Sequence, residues 1–245
     1  MRTLFISHGD KGGVGKSMTS AVLVERLLDD QHAESIAIIE GDKANPDVGK
    51  RYQHVAGVVT GVLPLNQPGM AANDAVTQLA DWIEHNEPDA VVVNLPANAS
   101  ETLDQCGTLL RSVCNALGYR MVVTYSLGIG DDLTVGMIKS LESGLLSQAD
   151  PSNRYVIYPI FQGAKARFLW SRHPAREDYL MQEIEMPALM SSNSRDKLTN
   201  TAGRITDLGE TGGAGWTVAE RINVGEWIYA ATTAIDALMI EDARP

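Results

Sequence analysis

A glycine-rich segment between an apolar strand and a helix constrains this chain more than any other feature. Residues 11–17 are Lys-Gly-Gly-Val-Gly-Lys-Ser, after a strand predicted at Thr3–His8 and before a helix predicted at Ser17–Leu28. Glycines let the backbone adopt conformations that are closed to other residues, so successive N–H groups can converge on one anion. A strand, such a turn and a helix N-terminus together predict a phosphate-binding loop.

The predicted ligands of this loop are ATP and Mg²⁺. The Lys16 ammonium would contact the outer phosphates, and the Ser17 hydroxyl would ligate Mg²⁺. The alternative is a glycine-rich turn that binds nothing, but chance does not readily place three glycines, a lysine and a serine at a strand-to-helix boundary. The predicted nucleotide-binding residues are Lys11, Gly12, Gly13, Val14, Gly15, Lys16, Ser17 and Met18.

The remaining chain alternates between strand and helix patterns. Further strands are predicted at Ser35–Glu40, Ala90–Leu95, Arg120–Tyr125 and Tyr155–Ile160, and further helices at Ala71–His85, Glu101–Leu117, Asp131–Leu146 and Val218–Met239. This alternation predicts a three-layer α/β fold, with a doubly wound, mostly parallel sheet and helices on both faces. Residues 41–70 are predicted to form a long functional loop, and the pattern over 161–215 is ambiguous. The length predicts a single domain over 1–245.

Charge and composition restrict the partners and the compartment. The net charge of −11 disfavours nucleic acid and anionic lipid, so we expect no direct DNA binding. We expect a cytoplasmic protein with no membrane partner, because no secretory signal or membrane span is present and the end, Ile240-Glu-Asp-Ala-Arg-Pro, is acidic. Cys106 and Cys114 are interpreted as buried thiols in a reducing compartment, with a metal site shared across a dimer as the alternative.

One departure from the standard phosphate-binding loop points to a family. Asp10 stands where that loop has its first glycine, and Lys11 follows it. With this change the segment resembles the deviant Walker A loop of MinD and ParA type ATPases, Lys-Gly-Gly-x-x-Lys-Ser/Thr. The resemblance implies an ATP-dependent homodimer in which Lys11 reaches the partner's nucleotide and stabilises charge on its phosphates. The alternative for Lys11 is a solvated loop lysine.

The same resemblance assigns roles to residues at later strand ends. Glu40-Gly41-Asp42 matches an Asp-x-Asp motif, which implies that Asp42 orients the attacking water or the hydrated Mg²⁺. The alternative is that Asp42 only opens a turn. Asn94 stands where the family has an aspartate that holds Mg²⁺ through water; an amide supplies no charge, so binding should persist while hydrolysis is slow. Pro187 is predicted to lie beside the base.

The resemblance also implies a function. Asn45-Pro46-Asp47 and Pro96–Ser100 would be switch segments that bind a protein partner. The patterns at 40–47, 94–97 and Phe168-x-Trp170-Ser-Arg172 are most similar to TraL and StbB type ATPases of conjugative and mobilisable elements. We therefore predict a slow ATPase with Lys11, Lys16 and Asp42 as catalytic residues. The alternatives are a nucleotide-sensing adaptor with little hydrolysis and a small-molecule phosphotransferase or ligase, while Phe168 and Trp170 could simply be packing residues.

Overall fold

A computed structural model describes residues 1–29 and 33–240, so the predicted role of the acidic C-terminal end falls largely outside the described residues. Its strands are β1 (Arg2–His8), β2 (Ile36–Glu40), β3 (Val58–Val62), β4 (Ala90–Asn94), β5 (Tyr119–Ser126), β6 (Arg154–Pro159) and β7 (Gln182–Met186). They form one sheet in the order β3-β2-β4-β1-β5-β6-β7, and every pair is parallel. Sequential strands that are not neighbours require crossover connections, which helices supply.

Helices cover both faces of this sheet. They are α1 (Lys16–Asp29), α2 (Asp47–Tyr52), α3 (Met70–Asn86), α4 (Ser100–Leu117), α5 (Asp131–Ser143), α6 (Leu145–Gln148), α7 (Ala175–Asp178), α8 (Ser192–Thr199), α9 (Ile205–Glu210) and α10 (Val218–Ala234). Along β1, Leu4 and Ile6 join the core under α3 and α4, whereas Phe5 joins the core under α1 and α10. Side chains that alternate between two buried faces give three layers, so the predicted α/β architecture is confirmed.

The prediction of a long loop over residues 41–70 is wrong, because this segment contains α2 and β3. β3 is an edge strand that pairs only with β2 among the described strands, and Val59 and Val62 are exposed there. An edge strand with little buried surface carries a weak hydrophobic pattern. Gly61 lies against Trp82, since a Cβ at Gly61 would be 3.0 Å from the indole nitrogen. The glycine that weakened the strand pattern is therefore a packing residue.

Two predicted helices are shorter than expected. The helix predicted at Asp131–Leu146 is interrupted at Gly144, where a Cβ would lie 2.4 Å from the Asp104 carboxyl group. Asp104 accepts hydrogen bonds of 2.7 Å from the Ser140 hydroxyl and from the backbone N–H of Leu145, so this side chain takes the place of the helical hydrogen bond. The last predicted helix ends at Ala234, and a 3₁₀ turn follows at Asp236–Met239.

The ambiguous segment 161–215 contains β7, α7, α8 and α9. β7 extends the sheet beyond β6, and Ile184 and Met186 are its buried positions. Its other residues are polar, so the strand has only a short apolar signal in the sequence. The segment thus completes the sheet and supplies two helices to the layer that contains α1 and α10.

Both cysteines are buried free thiols, as predicted. Burial raises the pKa of Cys114 to about 12, so this thiol is unreactive at neutral pH. Phe168 and Trp170 are fully buried, and Phe168 contacts the Tyr158 ring edge to face at 5.4 Å between centroids, so they are core residues. Within residues 1–29 and 33–240, no helix has the length and apolar character needed to cross a membrane.

Candidate functional site

A cavity of about 520 Å³ lies at the carboxyl edge of the sheet, where the parallel strands end. Its loop half is lined by residues at or after the ends of β1, β2 and β4: Gly12, Gly13, Gly15, Lys16, Ser17, Met18, Thr19, Asp42, Asn45, Asp47, Asn94, Leu95, Pro96 and Ala97. Its far half is lined by Pro159, Phe161, Met186, Pro187, Ala188, Leu189, Arg195 and Trp227. The two halves differ in chemistry, because polar groups concentrate in the loop half.

The loop between β1 and α1 has the backbone conformation that the glycines predict. Gly13 and Gly15 have φ values of +75° and +92°, in the region that favours glycine. The carbonyl of Gly15 accepts a 2.9 Å hydrogen bond from the N–H of Thr19, which starts the helical pattern of α1. Val14 is buried and its side chain is not part of the cavity lining, so only its backbone can contribute to the predicted binding. Met18 lines the cavity.

Lys16 is a buried cation at the start of α1. Its side chain is only 6% exposed, and its Nζ donates a 2.7 Å hydrogen bond to the carbonyl oxygen of Lys11. Burial lowers the pKa of Lys16 to about 8, and the nearby negative charge of Asp10 opposes that shift. An anion in the cavity would stabilise the ammonium form further, since a nearby opposite charge favours ionisation. Lys16 is therefore placed as an electrostatic anchor for an anionic ligand.

The contacts of Asp10 explain why the loop tolerates a carboxylate in place of its first glycine. Its Oδ2 accepts a 3.0 Å hydrogen bond from the Tyr125 hydroxyl. The same oxygen packs against Gly136 of α5, where a Cβ would clash with it. The carbonyl of Asp10 accepts a 3.0 Å hydrogen bond from the N–H of Asn98. The side chain thus points into α5, and the backbone ties the loop to the segment that follows β4.

Lys11 does not line the cavity in this single chain. Its ammonium is more than half exposed and forms an ion pair with Asp132 in the first turn of α5. A lysine at the rim, held by an exposed carboxylate, is free to move at small energetic cost because exposed ion pairs contribute little. The structure therefore brings Lys16, and not Lys11, into the cavity wall.

The predicted carboxylate Asp42 lines the loop half. Its Oδ1 accepts a 2.8 Å hydrogen bond from the N–H of Ala44, so it also fixes a local turn, the role that was the alternative. Asp47, at the start of α2, lines the same half, and its Oδ1 accepts a 3.4 Å hydrogen bond from Asn94 Nδ2. Gly41 lets β2 and β4 end close together, since a Cβ there would lie 2.5 Å from Pro96.

Glu40 and Asn94 form a buried pair behind these carboxylates. Asn94 Nδ2 donates a 2.8 Å hydrogen bond to Glu40 and a 3.3 Å bond to the Ser17 hydroxyl, while its Oδ1 accepts from Ser20 at 3.3 Å. The other oxygen of Glu40 accepts a 2.6 Å bond from the N–H of Gly49 in α2. Burial raises the pKa of Glu40 to about 7 despite these hydrogen bonds. Glu40 thus holds Asn94 and α2 together and does not line the cavity.

The far half contains one predicted residue, Pro187. Its carbonyl accepts a 2.9 Å hydrogen bond from the indole N–H of Trp227, which fixes the chain after β7 against α10. The prediction from sequence missed Phe161, Met186, Arg195 and Trp227, which also line this half. Phe161 directly follows the end of β6, a position that a search of strand ends could have found. Arg195 and Trp227 lie in helices far along the chain, and no local pattern marks them.

No family model matches the chain. Over 124 residues the chain is 28% identical to the protein MobD from Acidithiobacillus ferrooxidans, a match that covers 51% of each protein. The chain thus spans about half the length of the curated relative that it matches.

Among solved structures, apo McdA from Cyanthece is similar, with a TM-score of 0.53 at 13% identity over 94% of this chain and 99% of that chain. A nucleotide-binding protein from Archaeoglobus fulgidus in complex with ADP gives a TM-score of 0.49 at 13% identity, over 81% of this chain and 85% of that chain. The likeness to McdA concerns the fold. Together with the parallel sheet and the loop after β1, it defines the class: an α/β fold of the P-loop NTPase type.

Proposed function

We propose that the protein is a MinD- and ParA-like molecular switch that binds and slowly hydrolyses ATP. The observation that carries the proposal is the loop after β1, where Gly13 and Gly15 adopt positive φ and Lys16 is buried at the cavity wall. A desolvated lysine beside converging N–H groups at a helix N-terminus is suited to hold phosphates. In this proposal Lys16 neutralises the outer phosphates, and the backbone of 12–15 orients them.

The oxygen atoms of the loop half suit Mg²⁺. Ser17 offers a hydroxyl, and Asp42 and Asp47 offer carboxylates; all three residues line the loop half. Mg²⁺ prefers oxygen ligands and keeps several waters, so these residues would hold it directly or through water. When bound, Mg²⁺ would neutralise phosphate charge. Asn94, with its amide nitrogen towards Ser17, would position the hydroxyl and add no negative charge.

Hydrolysis would depend on Asp42 and Lys11. Asp42 would accept a hydrogen bond from the attacking water and orient it towards the terminal phosphate. Lys11 would leave Asp132 and contact the nucleotide of a second copy, which makes the active form an ATP-dependent sandwich dimer. Because Asn94 supplies no charge, the turnover would be slow.

The biological setting of the proposal is the transfer, partition or stability of mobile plasmids in the cytoplasm. The resemblance to TraL and StbB type ATPases and the partial match to MobD support it. The switch segments 45–47 and 96–100 would bind a protein partner when ATP is present, without direct contact to DNA or a membrane.

Sedimentation velocity with Mg-ATP, Mg-ADP and no nucleotide tests the dimer. We expect a dimer with Mg-ATP only, and monomers of Lys16→Ala and Lys11→Ala under every condition. Lys139→Ala is a matched control, because this exposed lysine of α5 does not line the cavity. A wild-type protein that stays monomeric with saturating Mg-ATP would contradict the dimer.

A second candidate is an adaptor that binds ATP but hardly hydrolyses it. The pair of Asn94 and Glu40 favours it, since the side chain that donates a hydrogen bond to the Ser17 hydroxyl is an amide and Glu40 accepts one from α2. Multiple-turnover phosphate release separates the two candidates. Release by the wild type that is lost in Asp42→Ala supports the ATPase, and a single turnover or none supports the adaptor.

A further inference from the structure

The far half of the cavity is chemically unlike the loop half. Of its eight lining residues, six are apolar or proline, and the two others are Arg195 and Trp227. A nucleotide has the same asymmetry, with charged phosphates at one end and a flat aromatic base at the other. If the loop half holds phosphates, as the proposed function requires, the base lies in the far half, because apolar walls favour the burial of aromatic rings.

Two side chains of the far half, Arg195 and Trp227, carry N–H groups that could donate to a base, and none of its side chains carries an oxygen acceptor. The indole N–H of Trp227 and the carbonyl of Pro187 already bond to each other at 2.9 Å. Arg195 lies on α8, is exposed, and its guanidinium has no hydrogen bond or ion pair with the residues that the structure describes. Its free N–H groups only donate hydrogen bonds.

Phe161 is the surface on which a base can stack. It follows β6 directly, is 49% exposed and lines the far half. Its ring edge also approaches the loop, since a Cβ at Gly15 would lie 3.4 Å from Phe161 Cε1. The ring therefore stands where the two halves meet, and stacking on it would not depend on which base is bound.

From these observations we infer that the far half accepts guanine at least as well as adenine, so the site binds GTP as well as ATP; this rests on the proposed function. Guanine presents two acceptors, O6 and N7, which match the guanidinium fork of Arg195. Adenine presents N7 beside an amino group that needs an acceptor, and no side chain lining the far half supplies a free one.

A calorimetric titration of the full chain with Mg-ATP, Mg-GTP and Mg-ITP tests the inference. Hypoxanthine keeps O6 and N7 but lacks the amino group of guanine, so ITP isolates the acceptor edge. We expect the dissociation constant for GTP to be equal to that for ATP or lower by up to about tenfold, and that for ITP to follow GTP.

Two pairs of variants assign the effect to residues. Arg195→Ala should weaken GTP and ITP about tenfold and ATP less than about threefold, and Arg195→Lys should not restore GTP because it lacks the planar fork. Phe161→Leu should weaken all three nucleotides about tenfold, whereas Phe161→Tyr keeps the ring and the affinity. Both side chains are exposed, so these variants should fold.

The outcomes separate the inference from the proposed function. Binding of ATP with GTP weaker by about threefold or more would overturn the inference and leave the ATP switch intact. An equal loss of ATP and GTP in Arg195→Ala would also overturn it, because Arg195 would then contact a part that both nucleotides share. If no nucleotide binds, the proposed function itself fails.

Discussion

The loop half and the far half of the cavity are built in different ways. The loop half depends mainly on one short segment, in which Gly13, Gly15, Lys16 and Ser17 are neighbours in the sequence. The far half brings together residues at or after the ends of β6 and β7 with others from α8 and α10, which are up to 68 positions apart, from Pro159 to Trp227. A local motif fixes its own geometry through the backbone, whereas an assembled wall depends on the packing of the elements that carry it.

Glu25 ties α1 to α2 and to α9, which packs on the far-half helix α10, and it carries the largest expected stability effect. It lies on α1, is fully buried, and accepts hydrogen bonds from the Tyr52 hydroxyl at 2.7 Å and from the N–H of Ile205 at 2.6 Å. Glu25→Ala leaves these buried donors unpaired and should lower the free energy of unfolding by about 3 kcal/mol. Urea denaturation measures it, and the exposed Glu226→Ala on α10 should change it by less than about 0.5 kcal/mol.

A loss below about 1 kcal/mol in Glu25→Ala would break the comparison, because the far half would then not depend on its attachment to α1. The affinity of this variant for inorganic triphosphate, which has no base, sharpens the comparison of the two halves. If it still folds, we expect its affinity for inorganic triphosphate to stay near that of the wild type, since the loop half is local.

The contact between α9 and α10 provides a smaller test of the far half. A Cβ at Gly209 would lie 2.8 Å from the Cα of Gly225, so Gly209→Ala forces the two helices apart and should cost about 2 kcal/mol in unfolding free energy. The matched control is Gly225→Ala, whose Cβ would lie 3.7 Å from the Gly209 Cα, an ordinary contact. Thermal unfolding compares the two variants; equal stability of both would contradict the packing account.

The smallest effect concerns Glu40, behind the loop half. Its pKa rises from an ordinary value of 4.5 to about 7 in the folded protein, so the folded state binds the proton more tightly than the unfolded state. Stability should therefore fall as the pH rises through this window. Between about pH 6 and about pH 7, the wild type should lose about 1 kcal/mol relative to Glu40→Gln, which does not titrate. Urea denaturation at each pH measures the free energy of unfolding of both proteins. If it changed equally with pH in the two, the raised pKa of Glu40 would be contradicted.

The same division explains what the sequence could predict. The loop and the strands β1, β2 and β4 were found because their signals are local: glycines at a strand end and continuous apolar runs such as Val91–Val93. The edge strands β3 and β7 were missed because they bury few side chains and so carry little hydrophobic pattern. Likewise Arg195 and Trp227 reach the cavity only through tertiary packing, which no spacing in the sequence records.

The most direct test of the central claim is a calorimetric titration of Mg-ATP into the wild type and Lys16→Ala, with Lys139→Ala as the control. Lys16 is the buried cation of the loop half, so its loss should weaken binding by about a hundredfold or more without unfolding the chain. The account predicts saturable binding by the wild type and the control, and none measurable for Lys16→Ala at the same concentrations. Equal affinity of all three proteins, or no binding by the wild type, would contradict it.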